Sequence, residues 1–147
     1  MKTSDKGLAL IKQFEGFSPV PYRCPAGLWT IGYGHVMHAD ARNQITAVTE
    51  REATDILQQD VRIAEQSVAR MIAVPLTQAQ FDALVSFTFN LGAAALQRST
   101  LRRVVNRGAH GDVPCQFLCW VWAAGRKLPG LVRRRAAEAE MYQVIDY

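Results

Sequence analysis

The chain has 147 residues, 49% of them hydrophobic and 20% charged, with a formal net charge of +4 owed to arginine. That is globular composition with enough chain for one domain and a sizeable core; disorder is excluded, and so is a spanning helix, because no apolar run reaches about 18 residues. The positive balance favours an anionic partner, nucleic acid or a bacterial envelope, without choosing between them. Three cysteines cannot all pair and are not spaced as a disulfide framework, so they read as reduced thiols.

In chain order, "SDKGLALIKQFEGF" predicts a first helix, with Leu8, Ile11 and Phe14 at helical spacing and Gly16 as its stop. Glu15 falls at the C-terminal end, where the dipole disfavours a carboxylate and favours the protonated acid. From Pro19 to about Ile45 turn residues and short apolar runs predict an antiparallel sheet of two or three strands, with "CPAG" as a turn and "LWTIGYG" as a strand. Alone, such a sheet is too small to be stable.

"VTEREATDILQQDVRIAEQSVARMIAVP" predicts one long helix over 49–72, opened by a capping box of Thr49 and Glu52. Ala53, Leu57, Asp60, Ala64, Val68 and Met71 share one face, so Asp60 is a charge on an apolar stripe. "LTQAQFDALVSFTFNLG" is a second capped helix, boxed by Thr77 and Gln80 and stopped by Gly92. "STLRRVVNRG", "VPCQFLCWVWAAG" and "LVRRRAAEAEMYQVI" predict further helices. The class is α+β: a β-rich lobe over about 15–48, a connecting helix over 49–72, and a helical lobe of 76–147 with helix 4–14. A polymer is expected to lie between sheet and bundle.

Glu15, Cys24 and Thr30 are separated by eight and then five residues, within "FEGF…PY…C…G…WTIGYGH". This stretch resembles the phage-type lysozymes, the endolysins of glycoside hydrolase family 24. Their signature is a glutamate, eight residues, an aspartate or cysteine, five residues and a threonine. "LTQAQFDALVSFTFNLG" and "AAGRKLPGLVRRRAAEAE" resemble the family's later blocks, in the right order. The resemblance implies a single domain of lysozyme-like fold. It also implies hydrolysis of the β-1,4 bond between N-acetylmuramic acid and N-acetylglucosamine in peptidoglycan. The family's catalytic residues then fall on Glu15, Cys24 and Thr30, with Gly34, His35, Asp60 and Arg134 binding substrate or supporting the site.

The chemistry has its own logic. Glycosidic cleavage needs an acid on the leaving oxygen and a group handling water or attack on the opposite face. Glu15 suits the first role. Cys24 stands where other members carry a second carboxylate, and Thr30 offers a hydroxyl to orient water. Arg23, adjacent in sequence, would favour a Cys24 thiolate. Without the motif, Glu15 reads as a solvated glutamate, Cys24 as a small buried hydrophobe and Thr30 as an ordinary strand residue.

His35 follows the sheet that the Asp60 face should cover, and an unpaired buried charge is costly; by the family resemblance, the two positions match an ion pair pinning sheet to helix. His110, Cys115 and Cys119 match no zinc spacing and, beside Phe117, Trp120 and Trp122, read as core; no metal or cofactor is implied. The basic run "VRRRAAEAE" reads as a solvated face. The resemblance offers Arg133, Arg134 or Arg135 as the arginine near the catalytic glutamate.

"MKTSDKGLAL" has no stretch long enough for a signal peptide. The expectation is therefore a monomer held in the host cytoplasm until a holin-like partner permeabilises the membrane, after which it reaches periplasm and wall. Its partner is the peptidoglycan glycan strand, not nucleic acid, for which no binding motif is present. A non-catalytic peptidoglycan-binding module is the alternative reading.

Overall fold

The computed structural model describes residues 1–38, 46–145 and 147. It divides into two compact units, Ile11–Asp60 and Met1–Leu10 with Val61–Tyr147. The first helix, α1 (Asp5–Glu15), contributes its first half to one unit and its second half to the other.

Unit Ile11–Asp60 holds the sheet. Strands β1 (Ser18–Arg23), β2 (Trp29–Gly32) and β3 (His35–Val36) pair antiparallel in the order β1-β2-β3. Tyr22 faces Thr30 and Ile31 faces His35, with a register irregularity between Ser18 and Tyr22. The C-terminal part of the expected sheet region, 39–45, lies outside the described residues. Helix α2 (Glu50–Asp60) covers the sheet, and the Thr49–Glu52 capping box forms at 3.0 and 3.1 Å. Ile11, Ile31, Tyr33, Val48, Ala53 and Leu57 make this unit's core.

The single helix expected over 49–72 is two helices. Helix α2 ends at Asp60 and α3 (Arg62–Met71) begins after Val61, whose φ of −74° and ψ of −11° stay in the right-handed helical region and which no side chain caps. Neither glycine nor proline marks this break, so nothing in the local sequence announces it. Ala53 and Leu57 of α2 and Ala64, Val68 and Met71 of α3 are nevertheless all buried, as the apolar pattern predicts.

In the larger unit the central element is α4 (Gln78–Leu91), capped by the Thr77–Gln80 box. Nine consecutive or near-consecutive residues of it are buried, from Ala79 to Thr88, the signature of a helix packed on every side. Helices α5 (Ala93–Arg98) and α6 (Thr100–Asn106) follow, the latter capped by Ser99, and a 3₁₀ turn at His110–Asp112 leads into α7 (Val113–Phe117). The last helix, α8 (Pro129–Tyr142), packs along α4. Phe87 meets Phe117 and Trp120 edge-on at 5.8 and 5.5 Å, and Phe117 meets Tyr142 at 5.8 Å.

The helix expected over "VPCQFLCWVWAAG" stops at Phe117. Strands β4 (Trp122–Ala123) and β5 (Arg126–Lys127) form a hairpin instead. Ala124 and Gly125 both have positive φ, 51° and 75°, the geometry of a type I′ turn, whose twist matches paired strands. Cys115 and Cys119 are exposed rather than core, as is Trp122.

The basic run is not a solvated face either. Arg133 is exposed, but Arg134, Arg135 and Glu138 are buried. Arg135 Nε lies 2.7 Å from Glu138 Oε1, off the line of a hydrogen bond, while its Nη2 donates to Glu138 Oε2 at 3.1 Å and to Asn90 Oδ1 at 2.9 Å. Arg134 Nε donates to Glu138 Oε2 at 3.4 Å and its Nη2 to the Ser86 carbonyl at 3.3 Å. Burial pushes the Glu138 carboxyl up, and the two guanidinium groups and the Ser86 hydroxyl pull it back.

The start of α1 is fixed by buried Asp82. Ser4 N–H donates to Asp82 Oδ1 at 3.1 Å, Ser4 Oγ donates to Oδ2, and Tyr147 Oη donates to Oδ2 at 2.7 Å. Thr3 is held the same way by Glu65.

Candidate active site

Glu15 is the last residue of α1 and is half-buried. Its carboxylate lies against the turn between β2 and β3: a Cβ added at Gly34 would come within 3.0 Å of Glu15 Oε1. Gly34 has φ +79°. Two requirements therefore fall on one residue, a left-handed turn and room for the carboxylate, and only glycine meets both without strain.

Cys24 follows β1 in the turn that leads to β2. Its N–H donates to the Leu28 carbonyl at 2.9 Å, and its own carbonyl accepts from Gly27 N–H at 2.8 Å. Hydrogen bonding from the Leu28 backbone holds the Cys24 thiol below its ordinary value. Partial desolvation opposes this, and the Ala26 backbone and Thr30 hydroxyl add to the lowering. Thr30, on β2, is 3% exposed and its hydroxyl also donates to the Leu28 carbonyl at 3.1 Å. A single hydroxyl proton serves one acceptor at a time. Arg23, expected to favour the thiolate, stacks on Trp29 at 5.1 Å; the backbone takes that role.

The fold thus joins the predicted residues in pairs. Glu15 meets Gly34, and Cys24 meets Thr30, with β2 and its turn connecting the pairs through the chain. His35 and Asp60 form the expected ion pair: Nδ1 and Oδ2 are 2.8 Å apart, with side chains 30% and 29% exposed. It ties β3 to the end of α2, although the pair is half-buried and not enclosed. Arg134 lies in the other unit, within the Glu138 and Ser86 network.

A second support escaped the sequence reading. Glu50 Oε1 accepts from Lys12 Nζ at 3.1 Å and from Tyr33 Oη at 2.9 Å. Lys12 also sits 5.3 Å over the Tyr33 ring, which packs on Phe17 at 5.3 Å. Lys12 and Tyr33 hold the Glu50 carboxyl below the usual carboxylate range. The cluster fastens the last turn of α1, hence Glu15, to the sheet turn and to α2. The tyrosine of "WTIGYGH" was its one sequence signal.

Among the described residues, no group of three or more His, Cys, Asp or Glu side chains is placed to hold a metal ion. No helix among them is long and apolar enough to cross a membrane.

The family described as Phage lysozyme matches residues 12–138. An endolysin of Acyrthosiphon pisum secondary endosymbiont phage 1 is 37% identical over 97% of this chain and 99% of its own length. Among solved structures, the muramidase domain of SpmX from Asticaccaulis excentricus is 37% identical with a TM-score of 0.87, covering 97% of this chain and 98% of that one. An endolysin from Escherichia coli O157:H7 phage FAHEc1 is 35% identical with a TM-score of 0.86, over 100% and 96% of the two chains. With the motif in place on the sheet and both ends of the chain matched, this protein belongs to the phage lysozyme family and has its α+β fold.

Proposed function

We propose that this phage-type lysozyme is an endolysin-like muramidase. It hydrolyses the β-1,4 bond between N-acetylmuramic acid and N-acetylglucosamine in peptidoglycan. The observation that carries the reading is the Glu15 carboxylate, fixed at a helix C-terminus against Gly34, in the family's own motif. Glu15 donates its proton to the leaving glycosidic oxygen as the bond to the anomeric carbon breaks. On the other face, Cys24 and Thr30 hold a water and draw a proton from it as its oxygen attacks. The lowered Cys24 thiol favours the thiolate form, the one able to accept a proton. A thiolate attacking directly would leave a thioglycoside whose sulfur is a poor proton acceptor, so release would be slow. Water activation avoids that trap and gives inversion at the anomeric carbon. Gly34, His35 and Asp60 position this machinery. Arg134 is given a supporting role by the family resemblance, which leaves Arg133, Arg134 and Arg135 as candidates for the family's arginine.

The enzyme acts as a monomer. It stays in the host cytoplasm until a holin-like membrane protein opens the way to periplasm and wall.

Mass analysis of digests of purified peptidoglycan tests the reading. Products ending in reducing N-acetylmuramic acid are expected. An anhydro sugar at that end would make it a lytic transglycosylase, and intact strands would leave only a binding module.

A further inference from the structure

Val121, just before β4, is buried at 6% exposed, whereas both residues of β4 are exposed, Trp122 at 63%. An indole is among the largest apolar side chains, and leaving one in water forgoes the stabilisation its burial would bring. Here it stands on a rigid support. The I′ turn fixes the strands, and the hydrogen bond from Leu128 N–H to the Val121 carbonyl, 3.0 Å, closes the base of the hairpin over the core. Trp122 pairs across the ladder with Lys127, and Ala123 with Arg126, so the indole and the ammonium share one face. From Val113 to Ala137 the sequence has no Asp or Glu, and Arg126, Lys127 and Arg133 are exposed within it. The hairpin is an exposed aromatic platform within a cationic stretch of sequence that contains no acid.

We propose that this hairpin is a peptidoglycan-holding element. Trp122 stacks on the apolar face of a sugar ring, and Lys127, with Arg126, pairs with carboxylates of the peptide stems. The assignment rests on the muramidase reading for its choice of partner, but not on any residue of the motif. An anionic lipid surface offers the cations a partner but no ring face, and a nucleic-acid duplex keeps its ring faces stacked inside. Peptidoglycan offers both a ring face for the indole and carboxylates for the cations.

Co-sedimentation with purified sacculi at low temperature tests it, using the whole chain, Trp122→Ala, Trp122→Phe and the double variant Arg126→Gln/Lys127→Gln. All three positions are exposed, so the variants should melt as the parent does. Sacculi stripped of peptide stems by an amidase serve as the second substrate. Trp122→Ala should bind both substrates roughly three- to tenfold more weakly, the loss expected for one aromatic face, and Trp122→Phe should recover most of it. The double variant should lose a similar factor on intact sacculi only, and the loss should shrink as salt is raised. Unchanged binding by Trp122→Ala overturns the proposal. So does an equal loss by the double variant on stripped glycan, or a larger loss on phosphatidylglycerol vesicles or duplex DNA than on sacculi. Release of reducing ends by the parent chain is read in parallel. If it is absent while the hairpin variants still lose binding, the muramidase reading fails and the hairpin stands.

Discussion

Glu15 and Cys24 divide the proposed chemistry between an acid and a water-handling thiol. Replacing Glu15 by Gln keeps the shape of the side chain and removes the proton it must give. Turnover of purified peptidoglycan should fall by about 10²- to 10⁴-fold with the circular-dichroism melt unchanged. Near-normal clearing would remove Glu15 from the mechanism. Cys24→Asp should stay active because it restores a second carboxylate, whereas Cys24→Ala should lose most activity because nothing then draws a proton from the water. The lowered thiol also predicts chemistry without substrate. Iodoacetamide should label Cys24 at neutral pH faster than it labels free cysteine, since the thiolate is the nucleophile. The measurement needs Cys115→Ser and Cys119→Ser, both being exposed. A glycosyl adduct on Cys24 during turnover, or a first product of retained anomeric form by NMR, would sink the water-activation assignment.

At the scale of elements, the β2–β3 turn decides where Glu15 can sit. Gly34→Ala would place a Cβ 3.0 Å from Glu15 Oε1 and force alanine to φ +79°. The left-handed backbone alone costs about 1–2 kcal/mol. A carboxylate displaced from its line to the leaving oxygen loses up to about 10²-fold in rate. Activity should therefore fall further than stability does, and equal, small effects on both would show the contact to be idle. The His35–Asp60 pair is a different kind of support. With about 70% of each side chain shielded, it lies between exposed pairs near 0–1 kcal/mol and buried ones near 3–5 kcal/mol. Asp60→Asn should lower stability by roughly 1–2 kcal/mol, a few degrees in Tm, with kcat spared. An unchanged Tm would argue that the pair adds nothing to holding β3 on α2.

Across the whole molecule, the largest electrostatic stake is the Arg134–Arg135–Glu138 cluster on α8. Arg135 and Glu138 are fully buried, each compensating the other. Glu138→Gln keeps the volume but removes the carboxylate that compensates the fully buried Arg135. The expected loss is roughly 3–5 kcal/mol, larger than for Asp60→Asn, because a broken buried pair strands a charge in low dielectric. Urea unfolding of the two variants side by side checks the order, and Glu138→Gln as mild as Asp60→Asn would place water in the cluster. Cys115 and Cys119 carry no such stake: Ser at either should change stability by less than about 0.5 kcal/mol.

Local rules were enough for much of this protein. Capping boxes at Thr49 and Thr77, the helix ending at Glu15, and the strand through Thr30 depend on neighbours within a few residues, and they formed as the pattern requires. Motif spacing gave the family, a charge on an apolar stripe signalled that Asp60 needs a partner, and the family resemblance pointed to His35. What failed were readings in which tertiary context competes with local preference. No breaker residue marks Val61, yet the helix parts there. The AG pair at Ala124–Gly125 closes a hairpin where the apolar pattern suggested a helix, because positive φ at both positions suits an I′ turn. An arginine-rich helix looks solvated in sequence. Only packing against α4 reveals that Arg134 and Arg135 turn inward to Glu138, since burial of a charge is decided by partners 48 to 52 residues away in the chain, at Ser86.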